Sequence, residues 1–526
     1  MPVLEYHDQT KHHFTRFARS TGYLDWANQP DPFRRYSGAP LREFGRRPLS
    51  PLVPYEALYD GSAAPSTITD DSVGEFFRCS MGLSAWKQSG GARWALRVNP
   101  SSGNLHPTES YLIRGGRVWH YAVREHALEE RCRFTPPEGV GDESFLVALS
   151  SIHWREAWKY GERAFRYCQH DAGHAIGALR FAAAMQGWRL TLLPRWSDAQ
   201  IAALIGLDRD ADYGDAEREE PECLAVVTPG DTGHWTDQDP SSLLASVSTG
   251  SWYGRANQLS SMRVPWPAID AVSAATTYPG IRDREPGIAP SPPRPLSPPH
   301  FHNPAPPPAR SIILGRRSAL AFDAHSGLRR EAFLAMLRRL RPAAPPWDAI
   351  GWPPHVHLAL FVHRVEGLVP GIYAYLRDDL VDEEWKAAMR PEFLWECVDP
   401  DLWLLVPIDC RRMANRLSCD QEIAEDGFFS LGMVARLQAS LRERGDWFYR
   451  RLFWECGLIG QVLYLEAEAI GARATGIGCF YDDPVHEMLG LTGHGWQSLY
   501  HFSMGMPVED TRLTSEPGYP WEVEGG

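Results

Sequence analysis

Two stretches of the chain, GHAIGALRFAAAMQGWRLTLLPRWSDAQIAALIGL at 173–207 and GLIGQVLYLEAEAIGARATGIGCFYDDPVHEMLGL at 457–491, align without a gap. Each begins with an alanine-rich apolar run that predicts a helix, and each run ends at a glycine suited to a C-cap. A short strand-like stretch and a second helix follow, and Asp198 or Asp482 is a plausible N-cap of that helix. The order helix, strand, helix is therefore expected twice.

The aligned stretches are identical at nine of thirty-five positions. The identical pairs are Gly173/Gly457, Leu179/Leu463, Ala183/Ala467, Gly187/Gly471, Arg189/Arg473, Thr191/Thr475, Asp198/Asp482, Gly206/Gly490 and Leu207/Leu491. A second similarity joins two segments in which aromatic residues alternate with others, a pattern that predicts strands. They are RVWHYAVREHAL at 117–128 and PGIYAYLRDDL at 370–380. These matches indicate a tandem duplication, and the alternative is that generic helix composition produced them.

A proline-rich segment separates the two copies. Eleven of the thirty residues in 281–310 are proline, so neither a helix nor a paired strand can run through it. We therefore expect an N-terminal domain at 1–280, an extended linker at 281–310 and a C-terminal domain at 311–526.

Composition excludes several classes of function. The net charge of -13 in 526 residues argues against nucleic acid and anionic membranes as partners. The first residues contain no apolar signal segment, and no later stretch gives about 18 uninterrupted apolar residues, so a soluble, cytoplasmic protein is expected. Nine scattered cysteines, never spaced as C-x-x-C, favour reduced thiols over disulfides or a zinc site, and no metal is predicted.

One loop stands out in the first half, RVNPSSGNLHPTESY at 97–111. Its serine hydroxyls, its asparagine amide and a glycine that permits close backbone approach can together hydrogen-bond a flat heterocycle. Taken alone, such a string is more often a plain turn.

Three strings stand out in the second half. In RSIILGRRSALAFD at 310–323, Arg316 and Ser318 are spaced so that a guanidinium and a hydroxyl can grip one phosphate. In RATGIGCFYDD at 473–483, two glycines can turn backbone N–H groups toward the edge of a ring. Near the end, MGMPVEDTRL supplies Arg512 as a second cation. On its own the RRS string is common on protein surfaces.

A cationic helix is predicted within SSIHWREAWKYGERAFRYCQHDAGH at 150–174. Arg155, Lys159, Arg163 and Arg166 recur at three- to four-residue spacing, which lines one helical face with positive charge. The alternative is a solvated face that pairs with acidic neighbours.

Together, and in this order, these strings resemble the nitroreductase superfamily, and most closely its tandem-domain members related to the SagB-type, azoline-forming dehydrogenases. Further matching phrases are LDWANQPDPFRRY at 24–36 and HRVEGLVPGIYAY at 363–375. The resemblance implies an α+β fold in which two tandem nitroreductase-like domains form an intrachain pseudo-dimer. It also implies one FMN at the interface of the domains, with redox chemistry at flavin N5.

The resemblance assigns roles to particular residues. The family grips the flavin phosphate with an R-x-S-x-[RK] string and a late arginine, which correspond here to Arg316, Ser318 and Arg512. The last basic position of that string is Leu320, so Arg317, Arg512 or a first-half cation has to compensate. The remaining cofactor-binding residues form two groups. The loop that flanks the flavin ring, called the ring loop below, contains Pro100, Ser101, Ser102 and Asn104. The segment at the edge of the ring contains Gly476, Ile477, Gly478 and Cys479. Lys159 and Tyr160 match the Lys-Tyr pair implicated in removing a substrate proton.

The copies have lost complementary parts of the site. Where the second copy has Gly476, Ile477 and Gly478, the first has Leu192, Leu193 and Pro194, which removes an N–H and adds bulk. One complete site can therefore be assembled across the halves. Cys479 can contact flavin through its backbone, but a redox-active thiol needs a partner, and the sequence reveals none.

The expected function is an FMN-dependent oxidoreductase that transfers hydride between flavin N5 and a small-molecule or peptide substrate, with dehydrogenation favoured over reduction. NAD(P)H and oxygen are candidate second substrates. The alternative is a non-catalytic flavin-binding or scaffold partner in a peptide or natural-product modification complex. Oligomerisation beyond the pseudo-dimer is left open.

Overall fold

The structure is a computed structural model that describes residues 2–46, 52–137, 143–280, 307–342, 345–378 and 382–522. The predicted linker at 281–310 therefore lies outside the described residues except for its last four positions. In the N-terminal half the helices are α1 Pro2–Gln9, α2 Ala57–Asp60, α3 Asp70–Arg78, α4 His153–Tyr160, α5 Ala164–Met185, α6 Asp198–Ile205, α7 Asp210–Tyr213, α8 Gly233–Asp237, α9 Ser241–Ser248 and α10 Pro267–Ala275. In the C-terminal half they are α11 Ala309–Gly315, α12 Arg330–Arg339, α13 Asp382–Ala388, α14 Arg411–Leu417, α15 Ile423–Asp426, α16 Leu437–Arg444, α17 Phe448–Ala469 and α18 Asp482–Leu489.

The strands divide in the same way. Those of the first half are β1 Tyr36–Ser37, β2 Leu41–Glu43, β3 Leu83–Ser89, β4 Ala92–Arg97, β5 Thr108–Arg114, β6 Arg117–Ala122, β7 Ala127–Arg133, β8 Phe145–Ser151, β9 Arg189–Leu192, β10 Glu220–Thr228, β11 Ser251–Trp252 and β12 Arg255–Ala256. Those of the second half are β13 Val356–Val362, β14 Gly371–Tyr375, β15 Glu396–Asp399, β16 Leu402–Pro407, β17 Phe429–Arg436, β18 Arg473–Ile477, β19 Trp496–Gly505 and β20 Thr514–Pro517.

Each half contains one large antiparallel sheet, and these two sheets have the same strand order; β1 and β12 of the first half form a separate two-stranded sheet. The first large sheet runs β11-β7-β6-β5-β8-β10-β9, with β2 also pairing β7, and the second runs β15-β16-β14-β13-β17-β19-β18. The predicted strands at 117–128 and 370–380 become β6 and β14, which occupy the same place in their sheets. The predicted α+β fold with two similar tandem halves is confirmed.

The first helices of the two aligned stretches become α5 and α17, which pack against each other across the junction of the halves. Every residue of α5 is buried, because the helix lies between its own sheet and the other half. At the crossing, a Cβ on Gly173 would overlap the Trp454 backbone, and one on Gly457 would overlap the carbonyl oxygen of His170. Glycine at this aligned pair thus allows the two backbones to touch.

Two other aligned glycine pairs end helices. Gly187 and Gly471 follow α5 and α17 with φ of 68° and 76°, in the left-handed region that favours glycine. Gly206 and Gly490 cap α6 and α18 with φ of 77° and 83°. The predicted glycine ends of the helices are confirmed.

The aligned aspartates do not act as N-caps. Ser197 caps α6 by accepting from the Gln200 N–H, and Asp198 is the first helical residue. Its carboxylate instead pairs with Arg450 across the junction at 2.6 Å. Asp482 pairs with Arg166 at 2.8 Å in the equivalent way. The prediction was wrong because the charge partner comes from the other half, which the local sequence does not show.

Terminal segments cross between the halves. On α1, His7 hydrogen-bonds Tyr449 and Gln497 of the C-terminal half at 3.0 Å each. At the other end, β20 pairs with β3, and β3 pairs with β4, in a three-stranded sheet. One apolar core cluster runs through both halves. The halves are therefore interlocked as well as packed together.

We expect Gly457→Ala to destabilise the protein by about 1–3 kcal/mol, the usual cost of overpacking a filled interior, because its Cβ would separate α5 from α17. Urea unfolding measures the change. The control is Gly351→Ala, where nothing lies within 4 Å of the new methyl group. Equal stability of the two variants would contradict close backbone packing at the crossing.

Candidate functional site

A cavity of about 470 Å³ lies at the junction of the halves and is lined by both. The volume is within the usual range for a small-molecule site. The ring loop, Tyr160 and the predicted second-half residues except Arg512 line it. The structure thus brings together all predicted site residues except Lys159, which lies just behind the wall, and Arg512.

The ring loop is held in place by its own hydrogen bonds. The Ser102 N–H and hydroxyl donate to the Asp171 carboxyl at 3.0 and 3.1 Å, and the Asn104 amide donates to the Ala95 carbonyl at 2.8 Å. Gly103 and Asn104 adopt φ of 58° and 60°. The loop therefore presents a preorganised surface to the cavity, with the serine and asparagine groups already bonded to protein.

Two buried carboxyl groups lie beneath this loop. Burial and the neighbouring Asp171 raise the pKa of Glu156 well above its usual value. Burial also raises the pKa of Asp171 to about 7, against the opposing effect of its hydrogen bonds from the ring loop. The Ser101 hydroxyl lies 3.4 Å from Glu156, so both carboxyl groups face the loop. Both carboxyl groups therefore release their protons less readily than exposed carboxyl groups do.

Lys159 and Tyr160 end α4 beside the same loop. Both are half-buried, and the Lys159 Nζ lies 5.1 Å from the centre of the Tyr160 ring. A Cβ added to Gly103 would come within 3.1 Å of Lys159 Nζ and would press on the Tyr160 hydroxyl. Both polar ends therefore point at a glycine of the cavity wall, where a larger residue would block them.

One end of the cavity is strongly cationic, with Lys87, Arg316, Arg317 and Arg473 in its wall. Burial and the neighbouring Arg316 lower the pKa of Arg317 to about 10, and burial and Arg317 lower the pKa of Lys87. Within this group Arg473 pairs with Glu509 at 2.7 Å. The cations repel one another, and a bound anion such as a phosphate would relieve that repulsion.

Arg316 is buried, and only part of its guanidinium is engaged. Its Nε and Nη2 donate to the carbonyls of Val98 and Arg97 at 3.1 and 3.2 Å, while Nη1 has no protein partner. Ser318 bonds the Tyr464 hydroxyl at 2.9 Å. The Nη1 group of Arg316 is thus a charged hydrogen-bond donor that is left for a ligand.

The glycines of the 473–483 segment serve packing. A Cβ at Gly476 would overlap the Tyr500 hydroxyl, and one at Gly478 would overlap the Tyr167 ring. The Gly476 N–H donates to the Tyr464 hydroxyl at 2.9 Å, so the expectation that it is free for a ring edge was wrong. Tyrosines that fill the space behind the strand explain both glycines.

Arg512 does not line the cavity, although Asp510 and Leu513 on either side of it do. Its side chain is 83% exposed and pairs with Asp510 at 2.7 Å. Arg473, one of the nine aligned identities, lines the cavity in its place. Leu320 also lines the cavity, with 68% of the residue exposed.

Cys479 has a partner that the sequence analysis missed. Its sulfur lies 2.8 Å from that of Cys419, which is sixty residues earlier in the chain. Both thiols are partly exposed. Only the folded structure shows this pair, because nothing in the sequence near either cysteine points to the other.

Several cavity residues carry buried polar atoms without a protein partner. They are Arg97 Nε, Asn99 Oδ1, His106 Nδ1, His174 Nδ1 and Arg316 Nη1. Buried polar groups are almost always hydrogen-bonded, so these atoms favour a ligand with its own donors, acceptors and negative charge. FMN, with a polar ring edge and a phosphate, fits this set. Arg97, Asn99 and His106 lay within the quoted ring-loop string, whereas nothing in the sequence singled out His174.

The described residues contain no cluster of three or more histidine, cysteine or acidic side chains arranged to hold a metal ion. Nor does this part of the chain contain a helix both long and apolar enough to span a membrane.

Comparison with solved structures identifies the fold. A protein of Anabaena variabilis described as a candidate nitroreductase has a TM-score of 0.66 and 20% identity, covering 96% of this chain and 99% of its own. A Ralstonia eutropha protein with the same description has a TM-score of 0.28 and 14% identity, covering 40% and 97%. The E. coli microcin synthetase McbBCD complex with truncated pro-MccB17 has a TM-score of 0.25 and 18% identity, covering 36% and 71%.

Sequence comparison covers a smaller region. No curated protein gives a significant match to the chain. Residues 313–506 match the nitroreductase family. This region holds α17, β18 and β19, and with them Arg316, Ser318 and the glycine strand of the cavity. Residues 313–506 therefore form a nitroreductase family domain, and the chain as a whole has a tandem nitroreductase-like fold.

Proposed function

We propose that the protein is an FMN-dependent oxidoreductase that transfers hydride between flavin N5 and a small-molecule or peptide substrate, with dehydrogenation as the favoured direction. The observation that carries the proposal is the cavity at the junction, because its wall combines the ring loop of the N-terminal half with three arginines of the C-terminal half, Arg316, Arg317 and Arg473. Neither half alone contains both parts.

The cationic end is the proposed phosphate site. Arg316, Arg317 and Ser318 would hold the phosphate there, with Arg473 as the further cation in place of Arg512. The ring loop at 100–104 and the segment 476–479 would hold the ring system. When bound, FMN would supply the hydride acceptor of the reaction.

Lys159 and Tyr160 are the proposed proton-transfer residues. They resemble the Lys-Tyr pair of the SagB-type, azoline-forming dehydrogenases, and their polar ends lie at Gly103 beside the ring loop. The carboxyl groups of Glu156 and Asp171, whose pKa values are raised by burial, also contact that loop. This arrangement can take a proton from a substrate while hydride leaves it, and the acceptor that restores the cofactor would be oxygen, with NAD(P)H serving the reverse direction.

One site per chain is part of the proposal, as is the division into domains at 1–280 and 311–526 joined by a linker at 281–310. Leu192 and Leu193 align with Gly476 and Ile477, and both leucines are buried in the core of the first half. A second cavity, of about 220 Å³, is lined by Asp198, Glu222 and Arg450 and lacks a ring loop. It is smaller than the usual ligand site.

We expect purified protein to be yellow and to release one FMN per chain.

Arg316→Ala should weaken FMN binding roughly tenfold to a hundredfold, because a charge-assisted hydrogen bond is worth about 1.5–3 kcal/mol. Flavin absorbance measured against protein concentration after gel filtration tests both expectations.

Arg512→Ala is the matched control, since its side chain is exposed and outside the cavity, and it should retain flavin. Thermal unfolding of both variants separates cofactor loss from misfolding. Protein that stays colourless after FMN is added would refute the proposed cofactor and favour a scaffold role. A ratio near two would refute the single site.

Replacement of Lys159 tests catalysis separately from cofactor binding. Lys159→Ala should slow turnover by about 10²- to 10⁴-fold, the usual contribution of general acid–base catalysis, with flavin content unchanged. Lys386→Ala is the control, because that lysine pairs with Asp382 away from the cavity. Flavin loss in the Lys159 variant would reassign the residue to cofactor binding, and unchanged turnover would exclude it from the reaction.

Replacement of Asp171 tests the buried carboxyl pair through pH. Because the folded-state pKa of Asp171 is about 7, above the usual 3.8, its ionisation opposes folding as pH rises between those values. Asp171→Asn should therefore gain stability over the wild type, by up to a few kcal/mol, between pH 5 and pH 8. Thermal unfolding across that range measures it.

Asp409→Asn serves as the control for pH. Asp409 is exposed, and its pKa is lowered by hydrogen bonds from Arg411, so it titrates below this range. The difference in stability between Asp409→Asn and the wild type should therefore be the same at pH 5 and pH 8. Parallel pH profiles for Asp171→Asn and the wild type would show that Asp171 ionises normally.

A further inference from the structure

Two cysteines from separate segments meet at the cavity wall. Cys479 lines the cavity just after β18, and Cys419 follows α14. Their sulfurs are 2.8 Å apart. Six of the other cysteines are buried, and Cys397 is exposed. Cys397 lies on β15, where its sulfur contacts the carbonyl of Asp399 at 3.5 Å. Cys419 and Cys479 are thus a partly exposed thiol pair beside the proposed cofactor site.

Two hydrogen bonds hold the two cysteine-bearing segments together. The Tyr481 N–H donates to the Leu417 carbonyl at 2.9 Å, and the Gln421 amide donates to the Cys479 carbonyl at 3.0 Å. A disulfide bond is about 2.05 Å long, so the sulfurs have to approach by about 0.8 Å to form one. Cys419 and Asp420 both adopt φ of 57°, a costly conformation for residues other than glycine. The surrounding bonds hold that turn and direct Cys419 at its partner.

The two thiols differ in their chemistry. A hydrogen bond joins the two thiols and lowers the pKa of Cys479, and the nearby Arg163 adds to this against the effect of burial. The Arg163 guanidinium lies close because it donates to the Gly478 carbonyl at 3.2 Å. Burial instead raises the pKa of Cys168 and Cys456 in the helix cores. Cys479 lines the cavity and is therefore the thiol that an entering disulfide meets first, and Cys419, whose sulfur lies 2.8 Å behind it, is placed to resolve the product.

We propose that Cys419 and Cys479 are a reversible dithiol–disulfide pair that exchanges two electrons with low-molecular-weight disulfides entering the cavity. The Cys479 thiolate attacks one sulfur of the disulfide, the external S–S bond breaks, and one thiol leaves with a proton. Cys419 then attacks Cys479, releases the second thiol with the other proton, and closes the protein disulfide. One external disulfide is reduced to two thiols while two protein thiols are oxidised. The exchange does not need flavin, so it is independent of the proposed oxidoreductase function.

We expect the reduced, folded protein to lose the two thiols of Cys419 and Cys479 when it is equilibrated with oxidised glutathione, and a third thiol if the exposed Cys397 takes up glutathione. Peptide mapping without reductant should then find Cys419 joined to Cys479, and dithiothreitol should restore both thiols. Cys397 should carry at most a mixed disulfide with glutathione, because its sulfur makes no contact with another cysteine among the described residues. Protein whose Cys419 and Cys479 both stay reduced in excess oxidised glutathione would overturn the proposal.

Single variants test the order of attack. Cys419→Ser should accumulate glutathione on Cys479, because no resolving thiol remains, whereas the wild type should not. Cys397→Ser is the control and should cross-link Cys419 to Cys479 like the wild type. Faster glutathione addition to Cys419 in Cys479→Ser than to Cys479 in Cys419→Ser would overturn the assigned roles. Flavin content, recorded for each sample, shows a failure of the cofactor proposal separately, since the cross-link is expected with or without flavin.

Discussion

Contact between the backbones of α5 and α17 is the constraint on which the rest of the structure depends. Gly173 and Gly457 leave no side chain at the crossing, so the helices approach until main chain meets main chain. Any larger residue would move the sheets apart and open the cavity that lies between them. The arginine–aspartate pairs that flank the crossing add a second constraint. Removing one partner of such a buried pair typically costs about 3–5 kcal/mol, so the pairs also penalise wrong docking of the halves.

The two halves share a framework but differ at the cavity. Aligned residues that shape the framework are the same in both copies: the crossing glycines, the glycines that end helices, and Asp198 with Asp482. Some residues that line the cavity differ, as Gly476 and Ile477 against Leu192 and Leu193 show, whereas Arg473 and Thr475 are identical to the aligned Arg189 and Thr191. In a symmetric pair of identical subunits both sites must be kept or lost together. A single chain frees each copy to keep one part of one site.

Much of the fold and the outline of the site could be predicted from sequence, because repeats and short strings record local structure and shared ancestry. The matching sheets follow from the aligned segments, and twelve of the fourteen predicted site residues line the cavity. Contacts between distant segments could not be predicted in this way. The sequence suggested that Asp198 caps a helix, because its arginine partner lies in the other half and is not visible in the local sequence. The sequence likewise revealed no partner for Cys479, because Cys419 is sixty residues away. Arg512 matched a family string, yet its side chain lies in solvent beside Asp510.

The pairing of β3 with β20 has a consequence for the order in which the molecule is made. Ribosomes synthesise proteins from the N-terminus, and domains usually fold as they emerge. Here the hairpin of β3 and β4 waits for a strand that is translated more than four hundred residues later. The cavity wall likewise extends from Lys87 to Leu513. The site is therefore completed only when almost the whole chain has left the ribosome, and a nascent chain stalled after α18 would have crossed helices around an open, unfinished cavity.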